Sequence, residues 1–174
     1  QDYRTKVYSV TIGAAGIGVN FSRISLDDGD STTAETTARI GENAQIGKTE
    51  KVGSLTVLAK SKGYADADVF GVGAGRLGAT INFSYVDATP NVLALIDTSA
   101  DIETTGIVSV KSDLDIDVFA DVFSVSIGAI GLGASISKAT AGGSSKAISN
   151  GEIDNSGSVI IQAKAVNIAD SFAA

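Results

Sequence analysis

Apolar and polar residues alternate one by one through most of this chain. Tyr8, Val10 and Ile12 alternate with Ser9 and Thr11, and Phe123, Val125 and Ile127 alternate with Ser124 and Ser126. Ile17, Val19 and Phe21 are interleaved with Gly18, Asn20 and Ser22, and similar stretches run over Leu77–Ser84 and Leu132–Ser137. Leu55, Val57 and Ala59, then Val108 and Val110, then Val159, Ile161 and Ala163 follow the same rule. A period of two places successive side chains on opposite faces, so these segments are predicted strands with one buried face. The expectation is that Val, Ile, Leu and Phe point inward and Ser, Thr, Asn and Lys outward. No sustained 3.6-residue period is present. Between the strong stretches lie shorter ones, Ala38-x-Ile40 and Ala44-x-Ile46, then Ala94-x-Ile96 and Ala100-x-Ile102, which read as short strands with small corners.

The pattern recurs three times. Val7, Val69 and Val122 each open a Gly-rich apolar stretch, in which Gly18, Gly78 and Gly133 are matched at spacings of 60 and 55. A second landmark opens at Gly53, Gly106 and Gly157. The units run over about 7–68, 69–121 and 122–170, and a fourth begins at 171–174, where Ser171-Phe172-Ala173 matches Val122-Phe123-Ser124. Such a chain is expected to be a slice of a longer array, or a subunit whose ends continue into neighbours. Tandem short strands with small corners predict one all-β segment, a parallel β-helix or β-solenoid, with an antiparallel β-sandwich as the alternative and an outer-membrane barrel third. At ~20–28 residues per coil, each unit would hold two coils. Polar stretches at Leu26–Thr37 and Thr140–Lys146 would be loops leaving the coil. On this matching, Val69 to Gly78 is nine residues where the other units have eleven, so the second unit is expected to turn differently.

Composition narrows the chemistry. The 174 residues carry 13 Lys and Arg against 20 Asp and Glu, a net charge of −7, so no basic nucleic-acid footprint exists. Cys and His are absent, which excludes disulfides, thiol nucleophiles, histidine triads and their metal sites. No apolar run approaches the ~18 residues of a membrane-spanning helix. Gly71-x-Gly73-x-Gly75-x-x-Gly78 has no helix pattern after it, so it reads as tight corners and close packing rather than a phosphate loop. A carbohydrate-cleaving site would need a carboxylate pair beside aromatic platforms; Tyr3, Tyr64 and Tyr85 are not tied to one, and no enzyme is expected.

The order of an aromatic-apolar strand, a Gly-Ala-rich stretch, a polar loop, Ala-x-Ile and a Gly-x-Val strand resembles the repeat regions of large secreted bacterial surface proteins. These are the filamentous-haemagglutinin-like and leukotoxin-like adhesins and autotransporter passenger domains. Gly13–Ser22, Gly73–Ser84 and Gly128–Ser137 carry the resemblance, together with Gly53–Lys60, Gly106–Ser112 and Gly157–Lys164. It implies a right-handed β-helix, export across a Gram-negative envelope to the cell surface, and a structural role without catalytic residues. The partners expected are neighbouring repeats or further copies end to end, and a host-surface glycan or protein.

Two sets of candidate residues follow. Asp113, Asp115 and Asp117 share one strand face, and stacked coils could set Asp66 and Asp68 beside them, making a calcium site with oxygen ligands conceivable. The plainer reading is a solvated acidic face. Asp27-Asp28-Gly29-Asp30 reads as a turn. Tyr8, Val10 and Ile12 at one end and Ile168 and Phe172 at the other are the candidate assembly residues, joined between copies by strand addition.

Overall fold

The computed structural model describes residues 2–26 and 36–174. Their regular structure is ten strands: β1 (Asp2–Leu26), β2 (Thr36–Ile40), β3 (Gln45–Ile46), β4 (Leu55–Ala88), β5 (Asn91–Ile96), β6 (Asp101–Glu103), β7 (Ile107–Ala141), β8 (Ser144–Ser149), β9 (Glu152–Asp154) and β10 (Ser158–Ala173). They form three sheets, ordered β1-β4-β7-β10, β2-β5-β8 and β3-β6-β9, and every pairing is parallel. The chain is a parallel β-solenoid, and the sandwich alternative is excluded because it requires antiparallel neighbours.

Each unit is one coil, not two. Val7 pairs with Val69, and Val69 with Val122. The extra length goes into the long strands, which double back on themselves. Ser126 Oγ donates to the Leu132 carbonyl at 2.8 Å, Ser124 Oγ meets Ser135 Oγ at 2.7 Å, and Ser84 Oγ donates to the Ala67 carbonyl at 2.8 Å. An outgoing and a returning leg therefore face each other within every coil. Stacked three deep, they make a two-walled fin that projects from the wider body.

The fin turns at a Gly-x-x-Gly step: Gly13–Gly16, Gly75–Gly78 and Gly128–Gly131, each stacked on the next. A Cβ on Gly128 would be driven into the Gly75 carbonyl oxygen, and one on Gly75 into that of Gly13. These contacts correct the matching of Gly18, Gly78 and Gly133. The stacked column is Gly16–Gly78–Gly131, nine residues after Val7, Val69 and Val122 in every unit, so the second unit does not turn differently. Ala173, not Ser171, pairs with Val122, which sets Phe172 opposite Asp121 rather than Phe123. Thr140–Lys146 is likewise no loop: only Gly142 and Gly143 separate β7 from β8, as Thr89 and Pro90 separate β4 from β5. The stretch at 27–35, with the Asp27–Asp30 turn, lies outside the described residues.

The hydrophobic core fills the body. Val108, Val110, Leu114, Ile116, Val118 and Ala120 of β7 pack with Val92, Ala94 and Ile96 of β5, Ile102 of β6, and Ala65, Ala67, Val86 and Ala88 of β4. Along the outgoing leg of the third coil the inward residues change from Leu114, Ile116, Val118, Ala120 and Val122 in the body to Ser124 and Ser126 in the fin. The walls converge as they do so.

Inside the fin the expected polarity is reversed. Its interior holds Ser9, Asn20, Gly71, Gly73, Thr80, Asn82, Ser124 and Ser126, while Tyr8, Val10, Ile12, Ile17, Val19 and Phe21 point outward. Ile12 is 79% exposed and Ile17 71%. The gap is too narrow for branched side chains: a Cβ on Gly73 would lie 3.2 Å from the Ala79 carbonyl oxygen of the opposite wall. Small hydrogen-bonding residues fit there, and the alternation then sends the apolar residues out. The body keeps the expected sense, with Val57, Ala59, Val108 and Val110 inside.

Two contrasts test this architecture. Val110→Asp buries an unpaired charge and should lower stability by more than about 3 kcal/mol in urea unfolding, whereas Ile127→Asp on the outer fin face should change it by under about 0.5 kcal/mol. Gly128→Ala should cost about 1–3 kcal/mol by overpacking, while Gly53→Ala, whose Cβ would meet nothing within 4 Å, should be neutral. Equal effects within either pair would contradict the assigned register.

Candidate functional site

The fin and the charged strip at its base hold the chemistry. Asn82 is fully buried between the walls: its Nδ2 donates to Ser124 Oγ at 2.7 Å and the Phe123 carbonyl at 3.1 Å, and its Oδ1 accepts from Asn20 Nδ2 at 2.6 Å. Asn20 Nδ2 also donates to Ser9 Oγ at 2.6 Å, and Thr80 Oγ1 meets Ser126 Oγ at 3.1 Å. This polar thread ties three coils together across the stack. A buried amide with its partners in place rigidifies; unpaired, it would destabilise.

Outside the thread, like stacks on like. Tyr8, Phe70 and Phe123 form an aromatic row on the outgoing leg, with ring centroids 6.4 and 5.6 Å apart and the second pair nearly parallel. Phe21, Phe83 and Ile136 form the matching row on the returning leg. Between each row and the tip the outer surface is apolar: Val10, Val72, Val125, Ile12, Ala74 and Ile127 on one face, Val19, Ile81, Ala134, Ile17, Ala79 and Leu132 on the other.

Towards the body the outer face becomes charged. Asp113, Asp115 and Asp117 do share one face, but their neighbours are not Asp66 and Asp68. Asp113 lies between Lys60 and Lys164, Asp115 beside Lys62, and Asp117 beside Tyr64. Lys60 approaches Asp113 at 3.4 Å and Lys62 approaches Asp115 at 2.9 Å. Asp66 and Asp68 stand further along, opposite Phe119 and Asp121, with Lys6 2.8 Å from Asp68. The five aspartates are thus divided: Asp113 and Asp115 face lysines, Asp117 lies beside Tyr64, and Asp66 and Asp68 join Asp121 in a patch that Lys6 partly offsets. Among the described residues no group of three acidic side chains is placed to hold a metal ion.

Asp115 titrates in the opposite sense to Asp66 and Asp121. The hydrogen bond from Lys62 holds the Asp115 carboxyl below the usual carboxylate range. Burial, then the neighbouring Asp68 and Asp66, pushes the Asp121 carboxyl above it; burial followed by Asp68 does the same to Asp66. Tyr64 Oη donates to Asp66 at 3.3 Å, which only partly offsets this.

The candidate assembly residues lie on the two edge strands. Tyr8, Val10 and Ile12 project from β1 and Ile168 and Phe172 from β10, at opposite edges of one sheet, all exposed. Phe172 borders a groove with Tyr8, Phe70 and Phe123 but stands outside their column. The tight corner expected in the Gly71–Gly78 stretch is present at Gly75–Gly78, but the sequence reading did not single out the Gly-x-x-Gly step common to all three units, nor the Asn20–Asn82 thread. The first was visible as a motif repeated three times. The second was visible as Asn20 and Asn82 at matching places in two units, with Ser135 in the third. Comparison with protein-family models, curated proteins and solved structures finds no match to this chain. No helix among the described residues is long and apolar enough to cross a membrane.

The opposite shifts give opposite responses. Asp121 keeps its proton to higher pH folded than unfolded, so its charged form costs stability once pH rises through the folded pKa. Asp115 contributes stability at neutral pH that fades as pH falls through its depressed folded pKa. Asp121→Asn should raise Tm at pH 7 by about 1–3 °C, and Asp115→Asn should lower it by a similar or smaller amount. The Asp121 difference should shrink towards zero at pH 3, below the usual carboxylate range, whereas the Asp115 difference should be smaller there than at pH 7 and vanish only below its depressed folded pKa. A pair of thermal melts at each pH checks this, and the same sign for both variants at pH 7 would refute it.

Proposed function

We propose that this chain is a structural segment of an extracellular β-solenoid fibre or adhesin stalk. The observation that carries the reading is the shared register of the stack. Residues of three successive coils pair one to one along whole strands, through the body and around the fin tip, so length is gained simply by adding coils. Each added coil extends the stack by ~4.8 Å and pairs its backbone with the coil before. Continuous ladders of this kind resist bending and proteolysis without disulfides. The alternating Lys and Asp columns on the outer face offset one another's charge from coil to coil. The role is mechanical: the stack holds a binding region away from a surface, or forms the filament itself. The resemblance to exported bacterial surface repeats points the same way.

One observation favours a second reading, a subunit that polymerises end to end. β1 and β10 lie at opposite edges of the long sheet and run in the same direction, so each presents unpaired backbone groups of the kind that strand addition uses.

Intact cells of the source organism, probed with an antibody raised against this chain, test the main reading. Surface staining that mild proteinase treatment of whole cells removes is the expected result, and staining that appears only after lysis would overturn it. Sedimentation of the purified chain tests the second. Rods that lengthen with concentration, and that Val166→Pro in β10 abolishes, are expected if copies add end to end.

A further inference from the structure

The outer faces of the fin are not edges of the stack. Further coils would cover β1 or β10, but they would leave Val10, Ile12, Ile17, Val19, Ile127 and Leu132 as open as they are now. Contiguous apolar surface of this kind marks an interaction site.

The two faces differ in the charge at their base. On the outgoing leg the aromatic row is bordered by Lys6, Asp68 and Asp121, seven residues from the tip glycines Gly13, Gly75 and Gly128. Lys6 is already engaged by Asp68, so the border is acidic at Asp121, with Asp66 one step further. On the returning leg the corresponding border is Arg23, Tyr85 and Lys138, seven residues beyond Gly16, Gly78 and Gly131, with Asp87 one step further. Among the described residues neither Arg23 nor Lys138 has an acidic partner. Because both borders lie seven residues from the tip, they stand level when two fins point the same way. The Lys138 ammonium then faces the Asp121 carboxylate and the Tyr85 phenol faces Asp68, while Arg23 meets Lys6, whose charge Asp68 offsets.

We propose that the occupant of each fin face is a second copy of this chain, the outgoing-leg face of one packing on the returning-leg face of the next. The contact is heterologous, so it repeats: each copy keeps one open face of each kind, and solenoids associate side by side. Each three-coil face measures roughly 17 by 14 Å, from five residues at ~3.3 Å along the strand and three strands at ~4.8 Å. That is well below the ~800 Å² per partner of a stable interface. Association of single copies is accordingly weak, and it strengthens steeply with the number of coils in register. A phospholipid surface is the competing occupant. It would leave the edge-strand backbone groups of the fin unpaired in hydrocarbon, which membranes do not tolerate. The proposal does not rest on the fibre reading, because this contact runs across the stack axis and involves no strand addition.

Two double variants, both altering exposed side chains, decide it. Val10→Ser with Ile127→Ser strips the outgoing face, and Val19→Ser with Leu132→Ser strips the returning face. Sedimentation velocity of the unaltered full chain up to millimolar concentration should show reversible association that weakens at 0.5 M salt. Each double variant alone should stop at monomer, or at least tenfold weaker association, with its thermal melt unchanged. An equimolar mixture of the two should give dimers and nothing larger, since each retains the face the other lacks. A chain that stays monomeric at millimolar concentration overturns the proposal, as does a single variant that still associates like the parent. So does flotation of the monomeric chain with 3:1 phosphatidylcholine–phosphatidylglycerol vesicles, which would assign the faces to lipid. Association abolished by Val166→Pro but untouched by the face variants would also refute side-by-side packing, while leaving end-to-end assembly standing.

Discussion

Every feature of this molecule depends on parallel stacking in register. When a coil lies directly on its neighbour, each side chain meets its counterpart one strand away, and whatever the sequence places at one height is repeated along the axis. Tolerated repeats are those that stack on themselves. Glycine over glycine allows the fin to turn, valine over valine fills the body, and Phe70 over Phe123 lays ring on ring. Aspartate over aspartate is the exception. At Asp68 and Asp121 the register forces two carboxylates together, and the Asp121 carboxyl, pushed up first by burial, is raised further by Asp68. At Asp113 and Asp115 the same register sets lysine against aspartate, and the charges are balanced. Whether an acid lies in a strained patch or a neutral ladder is decided by which residue occupies its position one coil away.

The second constraint is the width between the walls. Close to the body the interior admits Leu114 and Ile116; towards the tip it admits little beyond glycine, serine, threonine and asparagine. A space that narrow cannot be filled by hydrophobic side chains, so it is held by hydrogen bonds; its asparagines and most of its hydroxyls find partners across the gap or along the stack, and the buried Ser22 hydroxyl is left without one. The Asn20–Asn82–Ser124 thread supplies such partners in all three coils at once. The fin is thus a polar-cored sheet pair continuous with an apolar-cored body.

The strand positions, the threefold repeat and the parallel stacking were legible in the sequence, because a period of two and a unit of about fifty residues are properties of the residue order alone. Three things were not. The sense of the alternation was misread in the fin, since a period of two separates two faces without saying which is inside; Tyr8, Val10 and Ile12 look like core residues until the width of the gap is known. The number of coils per unit was misread because nothing local distinguishes a corner from the reversal of a long leg, although Gly-x-x-Gly recurs at each one. The charged site was half legible. The shared face of Asp113, Asp115 and Asp117 followed from their spacing, but their lysine neighbours depended on a register in which Lys60 meets Asp113. The 53-residue spacing from Gly53 to Gly106 carries that register, but the aspartates were compared only with one another.

Folding does not require the outer surface of the fin to be apolar. The interior thread and the backbone ladders hold the two walls, and serine or threonine at positions 10, 19, 127 and 132 would serve the strands equally well. Yet all three coils place aliphatic residues there, on both faces, between the tip and an aromatic row, and change at one common height to charged residues or, in the second coil's returning leg, to Tyr85. A stack that gained nothing from this surface would bear its tendency to aggregate with every coil added, because a repeated patch grows with the repeat. Covering the patch by another fin turns that liability into an assembly force with the same multiplicity. Short stacks then remain apart while long ones gather, so the length of the solenoid itself sets when side-by-side association begins.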